Sequence, residues 1–121
     1  MPQESFVLAP VQPLAGSSHP GPPPGRLVVT ASPSLDPGTS FETGPVPLTI
    51  GRSPENAAVL AGDEFASSRH ARVEAQRDGI WILDLDSTNG TWVNGQRMDG
   101  RRRLHHGDVV RIGETELRFE Q

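Results

Sequence analysis

Apolar residues along this chain come in short runs that alternate with polar ones, broken by turn formers, and never at helical spacing over a useful length. Arg26-Leu27-Val28-Val29-Thr30 opens the series, Thr39-Ser40-Phe41-Glu42 alternates weakly, and Val46 to Ile50 runs into Gly51-Arg52. Ala57 to Leu60 is shorter. Ala71 to Ala75 and Ile80 to Leu85 flank Arg77-Asp78-Gly79, and Thr91-Trp92-Val93 ends at Asn94-Gly95, both hairpin signals. Asp108 to Ile112 and Thr115 to Phe119 pair across Gly113-Glu114. About nine or ten strands at this spacing predict an all-β sandwich or barrel.

Before Arg26 the alternation disappears. Residues 1–25 hold Pro throughout, with Pro22-Pro23-Pro24 flanked by Gly and Glu4 as the sole charge. Such a stretch favours extended conformers and has too little apolar surface to fold alone. The expected organisation is a Pro/Gly-rich flexible tail or linker over 1–25 and one folded domain over 26–121.

Composition narrows the function classes. The chain has 121 residues, no cysteine and a net charge of −4, and all 11 basic residues are Arg. Without cysteine there is no disulfide framework and no thiolate metal site. An acidic domain is poorly suited to nucleic acid, which demands a concentrated basic surface. No run reaches the roughly 18 apolar residues of a spanning helix, so a cytoplasmic chain without direct membrane contact is expected. A linker-like tail would also suit a tether to the inner membrane face through an upstream anchor.

The candidate chemistry lies in four segments: Gly51-Arg52-Ser53, Ser67-Ser68-Arg69-His70, Ser87-Thr88-Asn89-Gly90-Thr91 and Val93-Asn94-Gly95. A phosphothreonine adds nearly two negative charges and three strong acceptor oxygens. A reader of that group needs a cation with directional donors, which Arg52 offers, and neutral donors, of which the Ser67 hydroxyl is one. Ser68, Arg69 and Thr88 are further candidates, and Asn89 has both a donor and an acceptor with which to hold a peptide main chain. Gly90 reads as a backbone requirement.

Other readings compete. Gly51-Arg52 alone is an ordinary strand exit, and Ser67, His70 and Asp84 or Asp86 make a hydrolase triad on paper. No Gly-x-Ser-x-Gly elbow accompanies them, and a Ser and His three apart on a loop need not face each other. No catalysis is therefore expected. His105-His106 resembles a metal pair, but neighbours on a strand point apart; a solvated turn is expected, with no metal or cofactor. Arg101-Arg102-Arg103 reads as a solvated loop, with attraction for an acidic partner left open.

The order Gly-Arg, Ser-x-x-His, Ser-Thr-Asn-Gly-Thr, Val-Asn-Gly resembles the forkhead-associated (FHA) domain. Leu104-His105-His106-Gly107-Asp108-Val109-Val110-Arg111-Ile112-Gly113 is similar to that family's Leu-x-x-Gly-Asp-x-x-x-Ile-Gly stretch. The resemblance covers roughly residues 26 to 121. It implies an eleven-stranded β-sandwich that recognises phosphothreonine peptides, without catalysis, through loops at one end. By position it implies phosphate contacts from Arg52, Ser67 and Thr88, added contacts from Ser68 and Arg69, and a peptide-backbone contact from Asn89. Gly51, His70, Gly90, Asn94 and Gly95 would support the loops. The implied partner is a phosphothreonine-containing protein, a Ser/Thr protein kinase or its substrate. A phosphate-independent assembly module on the same sandwich is the alternative.

Small actinobacterial members of the family can bind a modified threonine in their own tail. Residues 1–25 contain Ser5, Ser17 and Ser18 but no Thr, so tail-driven autoinhibition of that kind is not expected.

Overall fold

A computed structural model describes residues 21–121; most of the expected tail, with Ser5, Ser17 and Ser18, lies outside them. Among these described residues eleven strands follow in order: β1 Gly25–Ala31, β2 Ser40–Thr43, β3 Leu48–Gly51, β4 Ala58–Val59, β5 Ala71–Gln76, β6 Gly79–Asp84, β7 Thr91–Val93, β8 Gln96–Arg97, β9 Arg101–Leu104, β10 Val109–Ile112 and β11 Thr115–Glu120. They form a five-stranded sheet in the order β9-β6-β5-β3-β4 and a six-stranded sheet in the order β2-β1-β11-β10-β7-β8. Among the described residues no helix is long and apolar enough to cross a membrane.

The alternation in the sequence determines which side chains face inward. Leu48, Ile50, Val73, Ile80 and Ile82 of one sheet meet Leu27, Val29, Val93, Val110, Ile112, Leu117 and Phe119 of the other, all buried. Period-two strands place these residues on one face, and emptying such a site, as in Ile82→Ala, costs about 2–5 kcal/mol. Two-residue turns at Arg77-Asp78 and Asn94-Gly95 close hairpins. Asn94 has φ +52° and Gly95 +80°, the left-handed pair that such a turn requires.

Two strands escape the apolar pattern. Arg101-Arg102-Arg103, read from the sequence as a solvated loop, is most of β9, the edge strand pairing with β6. The run lacks alternation, and its pairing with Leu83, Ile82 and Trp81 is a long-range event. Charged side chains suit an exposed edge because they discourage a further strand from joining it. The Gln96–Arg97 strand β8 is equally polar and equally peripheral. His105-His106 lies in the turn between β9 and β10 as a solvated pair, and no group of three or more potential metal ligands occurs among the described residues.

A three-loop candidate peptide-binding site

Three loops meet at one end of the sandwich: 52–57 after β3, 60–70 between β4 and β5, and 85–90 between β6 and β7. Main-chain bonds join them. Arg52 N–H donates to Ser67 O at 2.9 Å, Ser53 N–H to Ser68 O at 3.1 Å, and Leu85 N–H to His70 O at 2.9 Å. Gly51 is required here because a Cβ would collide with Ser68 O. Asn56 seals the same junction, its amide donating to Ser53 O at 2.8 Å and Ser68 O at 2.7 Å.

His70 is fully buried beneath the loops. Its Nδ1 accepts from Ser67 N–H at 3.0 Å, which puts the ring hydrogen on Nε2, 2.9 Å from Gly90 O. One imidazole therefore clamps loop 60–70 to loop 85–90. The hydrolase reading fails on this geometry: the imidazole meets the backbone of Ser67, while the Ser67 hydroxyl accepts from Thr88 N–H at 3.0 Å. Asp84 is likewise committed elsewhere, accepting from the hydroxyls of Ser87 and Thr91 and from Ser87 N–H. Burial works against its ionised form, but these donors outweigh it and hold its carboxyl below the ordinary value of 3.8.

The solvent side of this frame carries unspent donors. Arg52 is exposed, its only described side-chain bond a long one of 3.4 Å from Nη1 to Glu64 O. Ser67 Oγ accepts from Thr88, so its own hydrogen stays free to donate outward. Thr88 is exposed and keeps its hydroxyl. Asn89 uses one amide hydrogen on Phe65 O, at 2.9 Å, which leaves its carbonyl and second hydrogen for a ligand. Ser68 is exposed, its carbonyl accepting from Ser53 N–H. Arg69 lies apart from this group, lining a small cleft with Thr49, Glu55 and Asn56.

Asn94 and Gly95 are corrected by the structure. Expected among the supports of the loops, they lie at the opposite end of the sandwich, where β10 begins; the three loops meet near its end. Asn94 Nδ2 donates to Asp108 Oδ1 and its Oδ1 accepts from Val109 N–H, both at 2.9 Å. The pair shapes a distant turn.

Sequence reading missed Asp63. This fully buried carboxylate accepts from Phe65 N–H at 3.1 Å, Glu114 N–H at 2.8 Å and the Thr115 hydroxyl at 2.8 Å. It fastens loop 60–70 to the β10–β11 turn, and a side chain at Gly113 would strike it. Only the local Asp63–Phe65 turn was visible in the sequence, because the other partners lie some fifty residues away. Asn56, three residues after Ser53, had a local signal of the same kind.

Comparison with known proteins agrees with this geometry. The FHA domain family model matches residues 48–113. The chain is 39% identical over 90 residues to the FHA domain-containing protein FhaB of Mycolicibacterium smegmatis, covering 74% of this chain and 56% of that one. It spans about half the length of the FhaB proteins it matches, 45% for that of Mycobacterium tuberculosis. Mycobacterium tuberculosis EmbR, solved in complex with a low-affinity phosphopeptide, superposes with a TM-score of 0.71 at 29% identity, covering 80% of this chain and 24% of that one. The FhaA FHA domain, solved with the intracellular domain of Rv3910, gives a TM-score of 0.69 at 28% identity, covering 79% and 99%. With the fold, the loop frame and these matches in agreement, the chain belongs to the FHA domain family.

Proposed function

We propose that this chain is a phosphothreonine-dependent docking module, acting in the cytoplasm, that recruits a Ser/Thr protein kinase or a substrate of one. Arg52 and Ser67 hold the phosphate, with Thr88 and Ser68 completing its oxygen shell, and Asn89 aligns the peptide main chain. Arg69 adds a contact from its separate cleft. One observation carries the reading: a main-chain bond joins Arg52 to Ser67 and leaves an exposed guanidinium with no carboxylate partner among the described residues and a hydroxyl whose hydrogen is free, on loops that are already locked together. Preorganised charge-assisted bonds to phosphate contribute about 1.5–3 kcal/mol each. Two of them separate a phosphorylated peptide from its unmodified form by orders of magnitude. The phosphopeptide on EmbR and the protein partner of FhaA support the same reading by analogy.

The test is a binding titration with one pool of phosphothreonine peptides and its phosphatase-treated copy. Binding to the first alone is expected. Equal binding to both would replace the reading with a phosphate-independent assembly module.

A further inference from the structure

The outer face of the six-stranded sheet carries a row of side chains that starts at the loop bearing Asn89. Arg111 on β10, Trp92 on β7 and Arg97 on β8 stand directly opposite one another in register, so the three share one face. The Arg111 guanidinium lies over the Trp92 ring, 5.9 Å from its centre. Arg97 packs on the loop itself: a Cβ on Gly90, whose φ is +83°, would come within 2.5 Å of its Nε. The Trp92 indole N–H donates to Asn89 O at 3.2 Å. Phe65, Asn89, Gly90, Trp92, Arg111 and Glu114 line one cleft of about 340 Å³.

Charge is the informative feature. In a chain with net charge −4, the ion pairs among the described residues are Arg26–Glu120, Arg72–Glu74 and His105–Asp108. Arg97 and Arg111 are in none of them. Arg111 Nε has a 3.3 Å bond to Gly113 O, which orients the guanidinium and leaves its terminal nitrogens free. Two guanidiniums outside these ion pairs therefore flank an indole that is bonded to the candidate peptide-holding loop, while Glu116, opposite Arg111 in register, accepts from the Thr30 hydroxyl instead.

We propose that Arg97 and Arg111, with Trp92 as the floor between them, form a second anion subsite that receives a carboxylate or a second phosphate from the same peptide. The inference rests on the phosphothreonine reading and extends it to peptide choice. A peptide main chain held at Asn89 passes next to Trp92, so its neighbouring side chains are the ones this row can reach. The apolar ring limits hydration around the anion, which strengthens its attraction to the guanidiniums. On the opposite sheet Arg101 stacks over Trp81 at 4.6 Å. That indole donates to Asp78 at 2.8 Å, in the β5–β6 turn, and not to the loop bearing Asn89, so the Arg101 stack is an internal control.

The experiment measures affinities for a phosphothreonine peptide with alanine at all flanking positions and for versions carrying Glu, or a second phosphothreonine, at one flanking position at a time. For the full chain, an acidic residue at one or two positions should improve affinity by about three- to tenfold, the range for two exposed ion pairs. The double variant Arg97→Gln/Arg111→Gln should bring that ratio close to one, whereas Arg101→Gln keeps it. Gain from Glu and second phosphate alike assigns a general anion subsite, and gain from the phosphate alone assigns a phosphate-selective one; both support the proposal. No gain at any position, or a gain that survives the double variant, overturns it and leaves the two arginines as covers for the indole. Failure of the alanine-flanked phosphopeptide to bind the folded chain overturns the phosphothreonine reading and this inference together.

Discussion

The two Asn-Gly turns of this chain share a dipeptide and differ in what their side chains have left to offer. Asn94 has both ends of its amide engaged, with Asp108 and with Val109 N–H, and Asp108 is closed in turn by His105 N–H at 2.8 Å. Asn89 gives one hydrogen to Phe65 O and retains the rest of its amide. Its glycine is equally different: Gly90 lies between the His70 ring and the Arg97 side chain, while a Cβ added to Gly95 would meet nothing within 4 Å. A saturated asparagine stabilises a turn. An unsaturated one, on a loop fixed from below, can hold something else at little entropic cost.

This difference predicts where mutations act. Arg52→Ala lies at the unsaturated extreme and should cost the most, at least about fiftyfold in phosphopeptide affinity, the loss of more than one charge-assisted bond. Its melting temperature should stay at the wild-type value, since no described ion pair is removed. Calorimetric titration beside a thermal melt checks both; wild-type affinity in the variant would refute the site assignment.

Asn94→Ala should reverse the pattern. It removes two hydrogen bonds and forces alanine into a left-handed conformation, for a stability loss of about 2 kcal/mol in urea unfolding. Phosphopeptide affinity should not change. Asn89→Ala should weaken binding by about three- to tenfold, one ordinary hydrogen bond's worth, with a smaller effect on stability. If Asn94→Ala weakened binding more than Asn89→Ala, the contrast between the turns would collapse.

The smallest effect concerns pH. The carboxyl of Asp84 titrates below its ordinary value in the fold, so its stabilising effect is complete above about pH 5 and is lost as pH falls through the lowered value. Urea unfolding near pH 7 and pH 3 should show wild type losing more stability on acidification than Asp84→Asn. Equal losses would show that Ser87 and Thr91 do not favour the charged form.

Much of the fold was legible from the sequence. Nine of the strands follow visible apolar runs, from Leu27 and Val29 in β1 to Leu117 and Phe119 in β11. The polar strands β8 and β9 were invisible because nothing in Gln96-Arg97 or Arg101-Arg102-Arg103 alternates, and only pairing with Trp92, Val93 and the β6 residues makes them strands. The candidate site was legible in its residue types to the extent that Arg52, Ser67, Thr88 and Asn89 lie on adjoining loops. Its supports were less so: Asn94-Gly95 lies at the wrong end, and Asp63 had no signal beyond its own turn.

By itself, then, the sequence determined the strand pattern, the turns and the set of groups from which a phosphate site can be made. These depend on residues two to four apart, where the geometry of the backbone leaves few choices. Tertiary structure alone decided which asparagine is saturated, which histidine nitrogen meets which loop, and that Arg97, Trp92 and Arg111 share one face. Whether a polar group is satisfied depends on partners far along the chain, and only the packed sandwich brings those partners within hydrogen-bond reach.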